Sequence, residues 1–249
     1  MHWRSHLLTL FLKIFVFWIL TVGMLFAEEF SFKLSTKGVT FGAFEMMAKE
    51  ANGHYQISST FKSTGILGVF TRIKIISGAY GKLHLNESHI KLKPAEVLSK
   101  WQSLIDSKQS KIKYKGSKIV QYEVLPNPRE NPYAIDPFKE SNTIDPLSVT
   151  YWMLRKRKYS QLCLGREVVS EGQSLILVKF IQKKKIDNFV HCEGQFTFLK
   201  GFDPKKYRDT KFPFKLIYAN LERAPQLWKV NSILFNTRLG LVNAVRERK

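Results

Sequence analysis

Cys163 and Cys192 are the two thiols of this 249-residue chain. An even cysteine pair reads as a disulfide if the chain is exported. It would close a loop of about 30 residues and contribute roughly 3–4 kcal/mol by restricting the unfolded chain. Two buried free thiols are the alternative. Geometry sets a condition. If 166–169, 174–182 and 189–199 form a three-strand meander, its outer strands lie about 9–10 Å apart, whereas a disulfide needs Cα atoms within roughly 7 Å. The bond therefore requires Cys163 to sit in the loop leading into that meander, or a different strand order.

The histidines give little further chemistry. His2 and His6 lie in the N-terminal segment, and His54, His84, His89 and His191 are scattered. His84 and His89 flank a turn and with Glu87 could ligate a metal, but surface residues have the same spacing. His191 adjoins Cys192, yet neighbours on a strand point to opposite faces, which makes a poor thiol–imidazole couple. There is no Gly-x-Ser-x-Gly, no His-Glu-x-x-His and no phosphate loop. No pair of acids stands out as an acid/base couple. Nothing in the sequence argues for an enzyme, and no cofactor or metal is indicated.

Charge is the loudest compositional feature: 40 Lys+Arg against 20 Asp+Glu, a formal net charge of +20. The densest runs are Arg155, Lys156, Arg157 and Lys158, and then Lys183, Lys184 and Lys185. Basic and aromatic residues interleave over Trp152 to Tyr159 and Phe196 to Tyr207, as on nucleic-acid-binding sheets. The plainer reading is strand core with solvated charge, the runs marking a helix end and a hairpin tip. The sharper one is contact with an anionic surface.

Residues 1–27 decide between these readings. They contain Arg4 and Lys13, no acid, an uncharged and mostly apolar stretch from Ile14 to Ala27, and then Glu28-Glu29. A basic start, a short apolar run and a small final residue make a secretory signal, although Leu25 is large for its place before the cut. The alternative is an uncleaved inner-membrane anchor over 7–27, which must tolerate Lys13. A buried core helix fits poorly because the segment has no polar face. Either favoured reading exports residues 28–249 to the periplasm, so nucleic acid is not an expected partner. Removing residues 1–27 takes two basic residues and no acid, leaving +18. The expected partners are anionic envelope lipid or polymer, or an envelope protein.

The body alternates with period 2. Phe30-Ser31-Phe32-Lys33-Leu34 and Lys111-Ile112-Lys113-Tyr114-Lys115 are clear examples, and Val69 to Ile76 also reads as a strand. About a dozen such strands predict a mainly β fold, a large antiparallel sheet that curls or closes into a barrel-like meander. One principal helix is predicted over 145–158. Asp145 would cap it, Pro146 would take the first position, and the basic run would end it. Five of the nine prolines, Pro126, Pro128, Pro132, Pro137 and Pro146, mark a long connection between two halves of a single domain.

The order of landmarks resembles the domain of unknown function 3108 family of exported bacterial envelope proteins. Gly38-Val39-Thr40-Phe41-Gly42 resembles its early hairpin, and Ser63-Thr64-Gly65 with Gly68 and Phe70 its second landmark. Leu92-Lys93-Pro94 follows. Ile144-Asp145-Pro146-Leu147-Ser148 resembles the opening of its helix, and Cys163 with Cys192-Glu193-Gly194 its cysteine pair. Gly201-Phe202 and Thr237-Arg238-Leu239-Gly240 resemble its closing strands. Where the family often has an Asp-Gly-Arg-Arg-like turn, this chain has Glu171-Gly172-Gln173-Ser174. The resemblance implies an exported, mainly β fold and no activity. The expectation is a non-enzymatic envelope protein that binds a lipid or other anionic amphiphile, with the acyl chain in the concave apolar face. A periplasmic scaffold and a hydrolase with a dispersed site are the alternatives.

Overall fold

The structure is a computed structural model that describes residues 26–85, 90–127, 130–207, 210–222, 224–237 and 240–247. The first half of the chain forms β1 (Phe26–Thr36), β2 (Val39–Ala51), β3 (His54–Ser63), a short helix α1 (Gly65–Thr71), β4 (Lys74–Leu85), β5 (Ile90–Gln102), β6 (Ser107–Lys115) and β7 (Lys118–Leu125). The proline-rich connection leads to β8 (Thr143–Ile144), helix α2 (Pro146–Leu154) and β9 (Arg157–Lys158). The second half forms β10 (Arg166–Ser170), β11 (Leu175–Ile186), β12 (Phe189–Lys200), β13 (Lys211–Leu221), β14 (Ala224–Thr237) and β15 (Gly240–Arg246).

All fifteen strands join one sheet, in the order β7-β6-β5-β4-β3-β2-β1-β15-β14-β13-β12-β11-β10-β8, with β9 on β14. The two halves meet where β1 pairs with β15. Neighbours are antiparallel except β8 and β10, which are parallel, so the sheet is mixed. It nearly closes into a barrel. Its two edges approach through a bridge between Lys118 and Ser141. Gly172, at φ +104°, packs so tightly against the Tyr122 ring that a Cβ there would overlap it.

Alternation sends apolar side chains inward: Phe30 and Phe32 from β1, Tyr55 and Ile57 from β3, Leu216 and Tyr218 from β13 are all buried. On the same strands Lys33 and Gln56 face out. This is the reverse of a membrane-spanning barrel, whose apolar face looks outward. The inside is filled by α2, which buries seven of its nine residues. A helix apolar all round belongs in a core. Asp145 caps it, accepting from Ser148 N at 2.8 Å. The Tyr218 hydroxyl donates to the Met153 carbonyl at 2.6 Å, and Tyr55 shares a 2.8 Å hydrogen bond with Ser148. The concave side expected to hold a ligand is thus occupied by the protein's own helix.

Two expected elements change. The principal helix ends at Leu154 rather than 158, because Arg155 turns away to an acid on β2 and Arg157-Lys158 join the sheet as β9. Part of the expected strand 69–76 is α1, with β4 beginning at Lys74. Cys163 and Cys192 form a disulfide, with Cα atoms 5.0 Å apart. Cys163 lies in the loop before β10 and Cys192 on β12, so the geometric condition is met. No thiol remains for His191 to activate.

Replacing Cys192 by Ser removes the constraint on a loop of about 30 residues and should lower unfolding stability by about 3 kcal/mol. Urea denaturation of the oxidised and fully reduced wild-type protein gives the same comparison without a mutation. Coincident midpoints would show that the bond contributes nothing.

Candidate membrane-facing rim

The basic run after α2 is drawn into the interior. Glu50 on β2 accepts from the Tyr151 hydroxyl at 2.5 Å, from Arg155 Nε at 2.6 Å and from Arg155 Nη2 at 2.8 Å. Glu28 on β1, 1% exposed, accepts from the Lys156 backbone N–H at 3.3 and 3.1 Å. Arg157 is 3% exposed, lies over the Trp152 ring at 5.1 Å, and donates from Nη1 to the Gln161 carbonyl. Arg157 is buried and Arg155 is largely so, its guanidinium engaged by Glu50. Sequence reasoning missed this because nothing local marks Glu28 and Glu50 as their interior counter-charges. Lys158, Lys184 and Lys185 are exposed. Lys183 bends onto Tyr159, donating to its carbonyl at 2.6 Å with Nζ 3.6 Å from the ring centroid. His84 is exposed, while Glu87 and His89 lie outside the described residues. Among the described residues no group of three or more His, Cys, Asp or Glu could hold a metal.

Burial pushes the Glu28 carboxyl above the usual carboxylate range, opposed by the Lys156 amide and the nearby cations. Between its unfolded and folded pKa values the folded protein therefore binds more protons, so stability falls as pH rises through that window. Glu28→Gln should remove this fall. In urea denaturation across pH, the advantage of the variant should grow from acidic pH and then level off. A difference that does not change with pH would contradict the assignment.

The outer surface offers a different site. Strand pairing puts the β1–β2 turn, α1, the β5–β6 turn, the end of β7 and the β14–β15 turn at one end of the barrel. The start of β1 and the end of β15 lie at the other. We call the first end the rim and the second the base. Helix α1 carries four large apolar side chains and buries none of its residues. Ile66 is 70% exposed, Val69 68% and Phe70 72%, and Ile105 in the β5–β6 turn reaches 95%. Val39, Leu67, Leu104, Leu125 and Leu241 are also exposed. In sheet order these lie at the same end of the strands between β7 and β15.

The position of α1 is set by its backbone. Thr64 N–H donates to the Phe41 carbonyl at 2.8 Å, Leu104 N–H to the Thr71 carbonyl at 3.2 Å, and Arg72 N–H to the Gly68 carbonyl at 3.2 Å. Ser63 Oγ receives Ile73 N–H at 2.9 Å and the Thr71 hydroxyl at 3.2 Å. Gly65 and Gly68 sit so close to the Thr40 and Ser63 carbonyls that a Cβ at either would overlap them. Hydrogen bonds and glycines hold the helix, while its apolar side chains are left to water. A run of exposed apolar residues of this kind marks an interaction surface.

Basic residues flank it. Lys62 and Lys74 are exposed and directly opposite each other on β3 and β4, an arrangement that destabilises a sheet by itself. Lys100 lies on the same outward face of β5, and Lys37 and Arg72 are exposed in the adjoining turns. Asp106, in the β5–β6 turn, accepts from Ser107 N–H at 2.7 Å. The sequence signal for this site was the charge-free run Gly65 to Thr71, between Lys62 and Arg72. Its alternating Phe70, Ile73 and Ile75 read as a strand instead.

Among the described residues no helix is long and apolar enough to cross a membrane. The chain matches no protein-family model, no curated protein and no solved structure.

Proposed function

We propose that this chain is a non-enzymatic, exported envelope protein that docks through its rim onto an anionic lipid surface. The observation that carries the reading is α1, whose backbone is fixed by the sheet while Ile66, Leu67, Val69 and Phe70 remain unburied. Moving an apolar side chain of this size out of water is worth roughly 1.5–3 kcal/mol. A Lys or Arg close to an anionic membrane adds about 1 kcal/mol, an effect that salt screens. Insertion of three or four rim side chains with their basic neighbours above the head groups would give reversible peripheral binding. The N-terminal segment and the resemblance to the domain of unknown function 3108 family support export. The net charge supports an anionic rather than a neutral surface.

Co-sedimentation with phosphatidylglycerol-containing vesicles tests the reading. The wild-type protein should bind these and bind pure phosphatidylcholine vesicles far less, with affinity falling as salt rises. Ile66→Ser combined with Phe70→Ser should weaken binding at least tenfold, since about 1.4 kcal/mol is tenfold in affinity. Both residues are exposed, so folding should be unaffected. Lys62→Glu combined with Lys74→Glu should weaken binding and flatten its salt dependence. Failure of the wild type to bind, or equal binding by the Ser variant, would overturn the reading. A stoichiometric protein captured by the rim in place of lipid would favour the scaffold alternative.

A further inference from the structure

A second surface feature begins where the rim ends. A mostly apolar groove of about 400 Å³ crosses the outside of the second half of the sheet, lined by Ile181, Pro213, Leu234 and Leu241 with Lys215, Glu193 and Asn236 among them. The strand register explains its course. Asn236 on β14 pairs with Leu241 on β15, Leu234 with Lys215 on β13, and Lys215 with Glu193 on β12. On β11 the register slips between Phe180 and Gln182, leaving Ile181 as the extra residue at the far end. Gly194 contributes no side chain to the groove, and the Phe214 ring fills the space where its Cβ would stand.

The groove spans five strands, or about 19 Å at the usual interstrand spacing. That length suits one extended hydrocarbon chain rather than a compact ring system. Its volume falls at the small end of ligand clefts, which run from about 300 to 1,000 Å³. The cation within the lining is Lys215, ion-paired with Glu193 at 3.0 Å and partly exposed. Leu241 is at once a groove residue and the last apolar residue of the rim.

We propose that this groove takes a single acyl chain of an anionic phospholipid, drawn from the surface on which the rim sits, with Lys215 near the head group. Two features of the groove carry the occupant, its apolar lining and the partly exposed lysine within it, and its continuity with the rim through Leu241 carries the source of the chain. Only the source of the chain rests on the rim reading.

The probe is palmitoyl lysophosphatidylglycerol, a single-chain anionic lipid, added to the oxidised full chain below its micelle concentration and read by native mass spectrometry. A one-to-one adduct is expected. Ile181→Asp and Leu241→Asp change exposed positions and should each reduce the adduct at least tenfold. Lys215→Met should reduce the preference for this lipid over its zwitterionic choline analogue. The Ile66→Ser and Phe70→Ser variant should keep the adduct even as it loses vesicle binding, which separates the two sites. No adduct with wild-type protein, or an adduct undiminished in both Asp variants, would overturn the groove assignment. An adduct formed by wild-type protein that itself binds no vesicles would overturn the rim reading and leave the groove standing.

Discussion

A sheet that curls until it nearly closes must fill its own interior, and here a single helix does so. Seven of the nine residues of α2 are buried. The helix ends satisfy their polar groups against the surrounding strands: Asp145 caps one, while beyond the other Arg155 meets Glu50. The Asp145 carboxyl is fully buried and burial raises its pKa. Its capping hydrogen bond therefore operates in a medium where losing it would be costly. Other features follow from this filling. The inward faces are apolar because α2 is there, and the loop carrying Cys163 is brought over β12.

The buried ions sit where the chain leaves α2. Arg155 donates two hydrogen bonds to Glu50 and sits beside Tyr151, so its charge is compensated. Arg157 has no partner at Nε or Nη2 among the described residues, and burial lowers its pKa. Such ions are poor sources of net stability, but removing one partner of a buried pair is costly. They pin the chain's exit from α2 to β1 and β2, and so fix the helix along the barrel. β9 then occupies the ladder positions on β14, Leu227 and Trp228, that β15 does not reach.

Much of the fold could be read from the sequence, because period-2 alternation is a local property. Asp145-Pro146 marked the start of the principal helix to the residue, since a cap and a first-turn proline are chemically specific. Its end was misplaced because Arg155–Lys158 look like a favourable helix terminus, and only the distant acids Glu28 and Glu50 make them interior residues. α1 was missed for a related reason. Seven residues are too few to show a helical period, and their apolar side chains match no polar face. What holds them is a set of contacts with Phe41, Ser63 and Leu104, which adjacency in sequence does not reveal. The groove depends on a register slip at Ile181, and that is a property of paired strands rather than of any one of them.

The pairing of β1 with β15 has an orientational consequence. Both described chain ends leave the barrel at its base, opposite α1. A strand such as β5, with 13 residues at about 3.3 Å each, is roughly 40 Å long before tilt is allowed for. If the N-terminal segment stays in a membrane, the base is tethered to that membrane and the rim points away from it, toward whatever lies across the compartment. If the segment is cut, the barrel is free to turn over and set its rim on either surface. If, as proposed, the chain is exported and its rim docks on lipid, cleavage at the start of β1 would decide whether the protein bridges two surfaces or visits one of them freely.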